Sequence, residues 1–118
     1  MSGEKTQTQV GQGVGNLQIQ QLFKVMVDQG ASDLHLSVGS APGMRVSGEV
    51  IRVKVGACTA DDTKRLVYQI LTEAQRSTLE KNLELDFSFG VKGLARFRAN
   101  CFYSKGAVAA VFRQIPSQ

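Results

Sequence analysis

A predicted β-hairpin near the end of the chain constrains the fold more than any other feature of the sequence. Two alternating segments, 94–103 and 107–115, flank the dipeptide Lys105-Gly106, which is typical of a two-residue hairpin loop because glycine adopts positive φ without strain. In that register Arg98 faces Arg113 on the adjoining strand. A slip of one residue would turn half of the apolar side chains outward, so the alternation fixes which face is buried.

The two faces of this hairpin differ in chemistry. One face is apolar and suited to packing against helices, and its members are Phe97, Ala99, Cys101, Tyr103, Val108, Ala110 and Phe112. The other face carries Arg96, Arg98 and Arg113, and the run 96–116 contains no carboxylate. The apolar surroundings make these arginines look buried, and without a carboxylate in the run they need an anion from elsewhere.

The sequence leaves two explanations of the facing arginines open. Like charges directly opposite each other on a sheet are destabilising unless they are compensated. A phosphate between them would compensate the charge, because guanidinium groups bind phosphate oxygens in pairs. The alternative is that Arg98 and Arg113 extend into water, or pair with Glu84 and Asp86 on the neighbouring predicted strand.

Periodic patterns along the rest of the chain predict an α+β domain. A first helix runs from Leu17 to a cap at Gly30, and Thr59 and Thr72 have the sequence context of residues that open two further helices. Alternation predicts strands at 32–38, 44–55 (a hairpin), 84–90, 94–103 and 107–115. This order of elements indicates an antiparallel sheet of about six strands with the helices packed on one face.

Length and composition fit a single soluble domain. The chain has 118 residues, of which 42% are apolar and 20% charged, enough for one core. Residues 1–16 have few large apolar side chains and are predicted to form a disordered tail, which leaves 17–118 as the domain. Because no segment resembles a signal peptide or a transmembrane span, we expect a cytoplasmic protein with Cys58 and Cys101 as free thiols.

The charge distribution favours an anionic partner but not a nucleic acid. Asp86 is the last acidic residue, and five basic residues follow it unopposed: Lys92, Arg96, Arg98, Lys105 and Arg113. RNA binding is disfavoured because alternation leaves Phe102 as the sole aromatic side chain beside the arginines, whereas stacking platforms need two or three. A PAS-type small-molecule pocket is disfavoured because the apolar face offers no polar anchors.

The only histidine, His35, does not indicate catalysis. No cysteine, serine or metal-ligand cluster accompanies it in the sequence. We expect a strand residue that is hydrogen-bonded near Asp33, at the domain surface or at an interface.

Three ordered motifs resemble those of one protein family. They are GASDLHLSVGSAPGMRVSGEV (30–50), LTEAQRSTLEKNLELDFSFGVKGLARFRANCF (71–102) and AAVFRQIP (109–116). Over residues 17–116 the chain closely resembles the N-terminal domain of the PilT family, the type IV pilus retraction (twitching motility) ATPases of the secretion ATPase superfamily. The alternatives are the related pilus-extension or type II secretion ATPases and a stand-alone PAS-like sensor or interaction module.

This resemblance implies a PAS-like domain that precedes a RecA-like ATPase domain in a homohexameric motor. In such motors ATP lies between the two domains, and arginines of the N-terminal domain reach its phosphates. The matching positions are Arg98 and Arg113, with Arg96 as a further candidate. Because the chain has no GxxxxGK[ST] motif, we expect ATP and Mg²⁺ to bind only in the full-length protein, and neither a catalytic residue nor a bound cofactor in this part.

The resemblance also implies partners and a location. The expected partners are the protein's own RecA-like domain, neighbouring subunits of the hexamer and the inner-membrane platform protein of the pilus. The expected location is the cytoplasmic side of the inner membrane, at the base of the pilus machine, without a transmembrane segment or nucleic acid.

Overall fold

The computed structural model describes residues 13–116 as one sheet covered by helices on one side. The strands are β1 (Asp33–Leu36), β2 (Gly43–Val46), β3 (Glu49–Arg52), β4 (Glu84–Val91), β5 (Ala95–Ser104) and β6 (Ala107–Ile115). The α-helices are α1 (Ile19–Gln29), α2 (Ala60–Tyr68) and α3 (Glu73–Asn82). All the strand pairings are antiparallel, in the order β3-β2-β1-β6-β5-β4. The predicted α+β, PAS-like arrangement is confirmed.

The β5–β6 hairpin has the predicted register. Arg98 pairs with Arg113, and Ser104 pairs with Ala107. Lys105 and Gly106 have φ values of 54° and 81°, the two left-handed residues that a type I′ loop requires. Phe97 and Phe112 on the predicted core face are fully buried, so the alternation identified the inner face correctly.

The last strand lies in the middle of the sheet rather than at its edge. β6 pairs with β5 on one side and with β1 on the other. As a result Arg113 faces Arg98 on β5 and Asp33 on β1. This placement brings the first and the last strands of the sheet side by side.

The helix ends follow local sequence signals. Gly30 terminates α1 with a φ of 69°, and the N–H groups of Gly30 and Ala31 donate to the carbonyl oxygens of Val27 and Met26. Thr72 and Gln75 form the predicted capping box at the start of α3, with N···O distances of 3.0 and 3.1 Å.

Four phenylalanines form the centre of the core between α1 and the sheet. Phe23 of α1 is fully buried, and its ring centroid lies 4.7 Å from that of Phe97, 5.1 Å from that of Phe112 and 5.5 Å from that of Phe89. These separations are typical of favourable aromatic contacts. The cluster joins the first helix to three strands. The helices of residues 13–116 pack on this face of the sheet, and none of them covers the opposite face.

The predicted tail of residues 1–16 differs from the structure at its end. Residues 1–12 lie outside the described residues, but Gly13–Asn16 form a short 3-10 helix in which Val14 is buried. The Arg65 guanidinium of α2 donates to the carbonyl oxygens of Val14 and Leu17 at 2.6 and 2.7 Å. The sequence did not predict this segment, because a single valine among glycines is a weak hydrophobic pattern. Arg65, which holds the segment, lies about fifty residues away along the chain and reaches it only in the tertiary fold.

We expect Arg65→Leu to lower the free energy of unfolding by about 1–3 kcal/mol, because two carbonyl oxygens lose a charged donor. Urea denaturation measures this loss, and amide hydrogen exchange at Leu17 should accelerate. Lys64→Leu is the control, since it removes the same charge from an exposed position next to Arg65. Equal losses in the two variants would show that Arg65 does not anchor the segment.

Candidate functional site

The sheet face opposite the helices carries an open groove with two arginines in it. Its volume is about 390 Å³, and it is lined by His35, Asp86, Arg98, Asn100, Val111 and Arg113. These residues come from four adjacent strands, β1, β6, β5 and β4. We call this site the arginine groove. Its volume lies within the range of small-ligand sites in proteins.

Both arginines of the groove point into solvent. The side chains of Arg98 and Arg113 are 66% and 70% exposed, which agrees with the alternative that they extend into water or pair with a neighbouring carboxylate. The apolar residues around them belong to one face of the hairpin, and only that face is buried. On the other face, each long side chain extends over its neighbours and keeps its charged end in water.

Each arginine of the facing pair has a carboxylate partner on its outer side. The Nε and Nη2 atoms of Arg98 lie 3.2 and 3.0 Å from the two carboxylate oxygens of Asp86. The Nε atom of Arg113 lies 3.5 Å from Oδ2 of Asp33, whose side chain is only 16% exposed. The predicted pairing with Asp86 is therefore confirmed for Arg98, whereas Asp33 was not predicted as the partner of Arg113.

The charged pairs have a definite geometry. Asp86 belongs to β4 and Asp33 to β1, on opposite sides of the β5–β6 hairpin. Arg98 and Arg113 therefore lean away from each other, although their backbones are directly paired. Hydrogen bonds from Arg98 hold the pKa of Asp86 below its usual range, so this carboxylate is charged at neutral pH.

Arg96 lies outside the arginine groove. Its guanidinium covers Gly90, the residue it faces on β4, and a Cβ added at Gly90 would lie 3.1 Å from Nη1 of Arg96. Arg96 instead lines a neighbouring cavity of about 520 Å³ between the β4–β5 turn and the end of β6. Of the three predicted arginines, the structure brings Arg98 and Arg113 together and places Arg96 at this second cavity.

His35 lines the arginine groove but does not make the predicted hydrogen bond. Its Nε2 atom lies 3.8 Å from Oδ2 of Asp33, too far for a hydrogen bond. Within residues 13–116 this buried nitrogen has no hydrogen-bonding partner. The interpretation of His35 as a strand residue near Asp33 holds, and no nucleophile accompanies it in the groove.

The cysteines are free, as predicted, and both are buried. Burial raises the pKa of Cys58 to about 11 and that of Cys101 to about 12, so both are protonated thiols at neutral pH and poor nucleophiles. Across the described part of the chain, no three His, Cys, Asp or Glu side chains are grouped in a way that could hold a metal ion. The helices of residues 13–116 include none long and apolar enough to cross a membrane.

Comparisons of sequence and of structure find related proteins of pilus retraction and twitching motility. No family model matches the chain. The type IV pilus retraction ATPase PilT of Pseudomonas aeruginosa is 44% identical over 102 residues, which cover 86% of this chain and 30% of PilT. A twitching motility protein of Neisseria gonorrhoeae is 40% identical over 76 residues, which cover 64% of this chain and 20% of that protein.

The fold agrees with the sequence comparison. The crystal structure of the pilus retraction motor PilT with bound ADP superimposes with a TM-score of 0.82 at 40% identity, over 87% of this chain and 30% of that chain. The chain thus spans about a third or less of the length of the relatives it matches. By sequence and by fold, the chain belongs with the PilT proteins and corresponds to their N-terminal domain.

Proposed function

We propose that this chain is the N-terminal domain of a hexameric ATPase that powers type IV pilus retraction and twitching motility. The relatives from Pseudomonas and Neisseria, a type IV pilus retraction ATPase and a twitching motility protein, support this proposal. Since the chain covers 30% of the Pseudomonas protein, hydrolysis belongs to the whole ATPase and not to this domain alone. The domain supplies arginines that sense nucleotide phosphate, and part of the interface between subunits.

The facing arginines of an open groove are the observation that carries the phosphate role. Arg98 and Arg113 present two guanidinium groups on one surface, and such groups bind phosphate oxygens in pairs. Their exposure leaves them accessible to a ligand held by another domain. The PilT structure with ADP supports a nucleotide as the source of that phosphate. Arg96, which covers Gly90 at the neighbouring cavity, is a weaker candidate.

Nothing in the groove is suited to the other parts of a nucleotide. Its lining contains no phenylalanine, tyrosine or tryptophan to stack on a base, and the described residues contain no carboxylate cluster for Mg²⁺. We assign the binding of ATP and Mg²⁺ to the RecA-like domain of the full-length protein. The bound ATP supplies the phosphate bond that is hydrolysed. Arg98 and Arg113 act as charge sensors on the phosphate side of that site.

The proposed mechanism follows from the separate roles of the two domains, nucleotide binding in one and phosphate sensing in the other. When phosphate lies against the groove, the two guanidinium groups gain charge-assisted hydrogen bonds, which favour a closed arrangement of the two domains. When phosphate leaves, the arginines return to Asp86 and Asp33 and the domains are free to separate. The partners in this motion are the RecA-like domain and neighbouring subunits, and we place its output at the platform protein on the cytoplasmic side of the inner membrane.

The coding sequence beyond codon 118 tests the proposal most directly. We expect a GxxxxGK[ST] motif after a hydrophobic strand within about 40 codons, since that motif forms the phosphate-binding loop of this class of ATPase. A stop codon at that point would overturn the motor assignment. The chain would then be a free-standing PAS-like protein whose arginine pair binds another anion.

A further inference from the structure

The arginine groove contains its own competitor for phosphate. Asp86 engages Arg98 through two parallel hydrogen bonds, from Nε and Nη2 to the two carboxylate oxygens. This is the geometry in which a guanidinium group also binds two oxygens of a phosphate. The edge of Arg98 formed by Nε and Nη2 cannot serve both anions at once.

The position of Asp86 adds a second effect. Asp86 lies on β4, whereas Arg113 lies on β6, on the other side of Arg98. The ion pair therefore holds the guanidinium group of Arg98 away from Arg113 and toward β4, the edge strand of the sheet. A phosphate that binds both arginines has to draw Arg98 back across β5.

We propose that Asp86 sets the phosphate affinity of the arginine groove, because it binds Arg98 and phosphate must displace it from this arginine. This inference rests on the phosphate role proposed above for Arg98 and Arg113. Asp86 does not contact the phosphate in the bound state. It is a positioning residue that acts through Arg98 and opposes binding.

The environment of Asp86 permits such an exchange. The side chains of Asp86 and Arg98 are 45% and 66% exposed, so water replaces either partner when the pair separates. The contact is thus reversible and does not hold the core together. Asp33 stands opposite Arg113 in a similar way, but it makes a single contact of 3.5 Å, whereas Asp86 makes two contacts of 3.2 and 3.0 Å with Arg98. Asp86 is therefore the stronger competitor for phosphate of the two carboxylates.

Glu84 provides a matched control for a test of Asp86. Both carboxylates lie on β4, two positions apart and both exposed, so their side chains project from the same face of the strand. Among the described residues Glu84 makes no ion pair, whereas Asp86 binds Arg98. Asp86→Asn and Glu84→Gln each remove one negative charge from the same neighbourhood, but only the first releases Arg98.

The experiment titrates inorganic tripolyphosphate into the 118-residue chain at low ionic strength, where surface charges are least screened. The readouts are the NMR signals of the Arg98 side-chain Nε–H and of the Arg98 and Arg113 backbone amides. We expect Asp86→Asn to tighten tripolyphosphate binding by about fivefold, and Glu84→Gln to change it by less than about twofold. The double variant Arg98→Ala/Arg113→Ala should lose the response.

Each other outcome overturns the inference in a distinguishable way. Equal tightening in both single variants would assign the effect to net charge, and weaker binding in Asp86→Asn would mean that Asp86 orients Arg98 for the anion. Binding that depends on the arginines but is unchanged in Asp86→Asn would remove the role of Asp86 while preserving the phosphate role. No arginine-dependent response in any variant would overturn both.

Discussion

Arg98→Ala, made in a protein that carries the ATPase domain together with this chain, should lower ATP turnover by about 10²-fold, the loss typical when one preorganised donor to a developing charge is removed. The same loss is expected for Arg113→Ala. The fold should survive both changes, because each side chain is about two-thirds exposed and lies on the face of the sheet without helices. Steady-state phosphate release measures the activity, and the melting temperature verifies the fold.

Two further variants make this result specific. Arg98→Lys keeps the charge but not the two-pronged geometry, so an intermediate loss is expected if paired hydrogen bonds matter. Arg52→Ala removes an exposed arginine from β3, outside the arginine groove, and should leave turnover unchanged. Turnover in Arg98→Ala equal to that in Arg52→Ala would remove the phosphate role of Arg98.

Phe23→Ala should lower the free energy of unfolding by about 3–5 kcal/mol, the usual cost of truncating a fully buried phenylalanine. Phe23 is completely buried and contacts the rings of Phe89, Phe97 and Phe112, which belong to three different strands. The cavity cannot close easily, because the surrounding rings are held by the sheet. Since small domains have only about 5–15 kcal/mol of stability, this variant should be close to unfolding. Urea denaturation gives the magnitude.

Val25→Ala is the control for this prediction. Val25 lies on α1 two residues from Phe23, but its side chain is 38% exposed. We expect a change of less than about 0.5 kcal/mol, as for most surface substitutions. A loss in Phe23→Ala no larger than this would mean that the aromatic cluster is not the centre of stability.

The fold was largely predictable because its signals are local. The loop at Lys105-Gly106 fixed the register of the longest hairpin, and side-chain alternation fixed its inner face. The helix ends at Gly30 and Thr72 depend on capping residues only a few positions away from the groups they satisfy. None of these features requires knowledge of which strands are neighbours in space.

The candidate site was predictable only in part, because it depends on strand order. The pairing of Arg98 with Arg113 followed from one hairpin, and Asp86 was within reach on the preceding strand. Asp33 is eighty residues away along the chain and reaches Arg113 only because β1 pairs with β6. Its spacing in the sequence gave no indication of that contact. The exposure of the arginines was one of two alternatives that the sequence left open, since the apolar residues around them belong to the opposite face of the hairpin.

The central position of β6 has a mechanical consequence. This strand is hydrogen-bonded on both sides, to β5 along nine register pairs and to β1 along four. The inter-strand hydrogen bonds of antiparallel sheets run perpendicular to the strands, so a pull on Ile115 along the strand direction loads both ladders in shear instead of opening bonds one at a time. Force applied at this end would therefore be carried into the whole sheet, and the arginine beside the end, Arg113, would move with it as part of a rigid body.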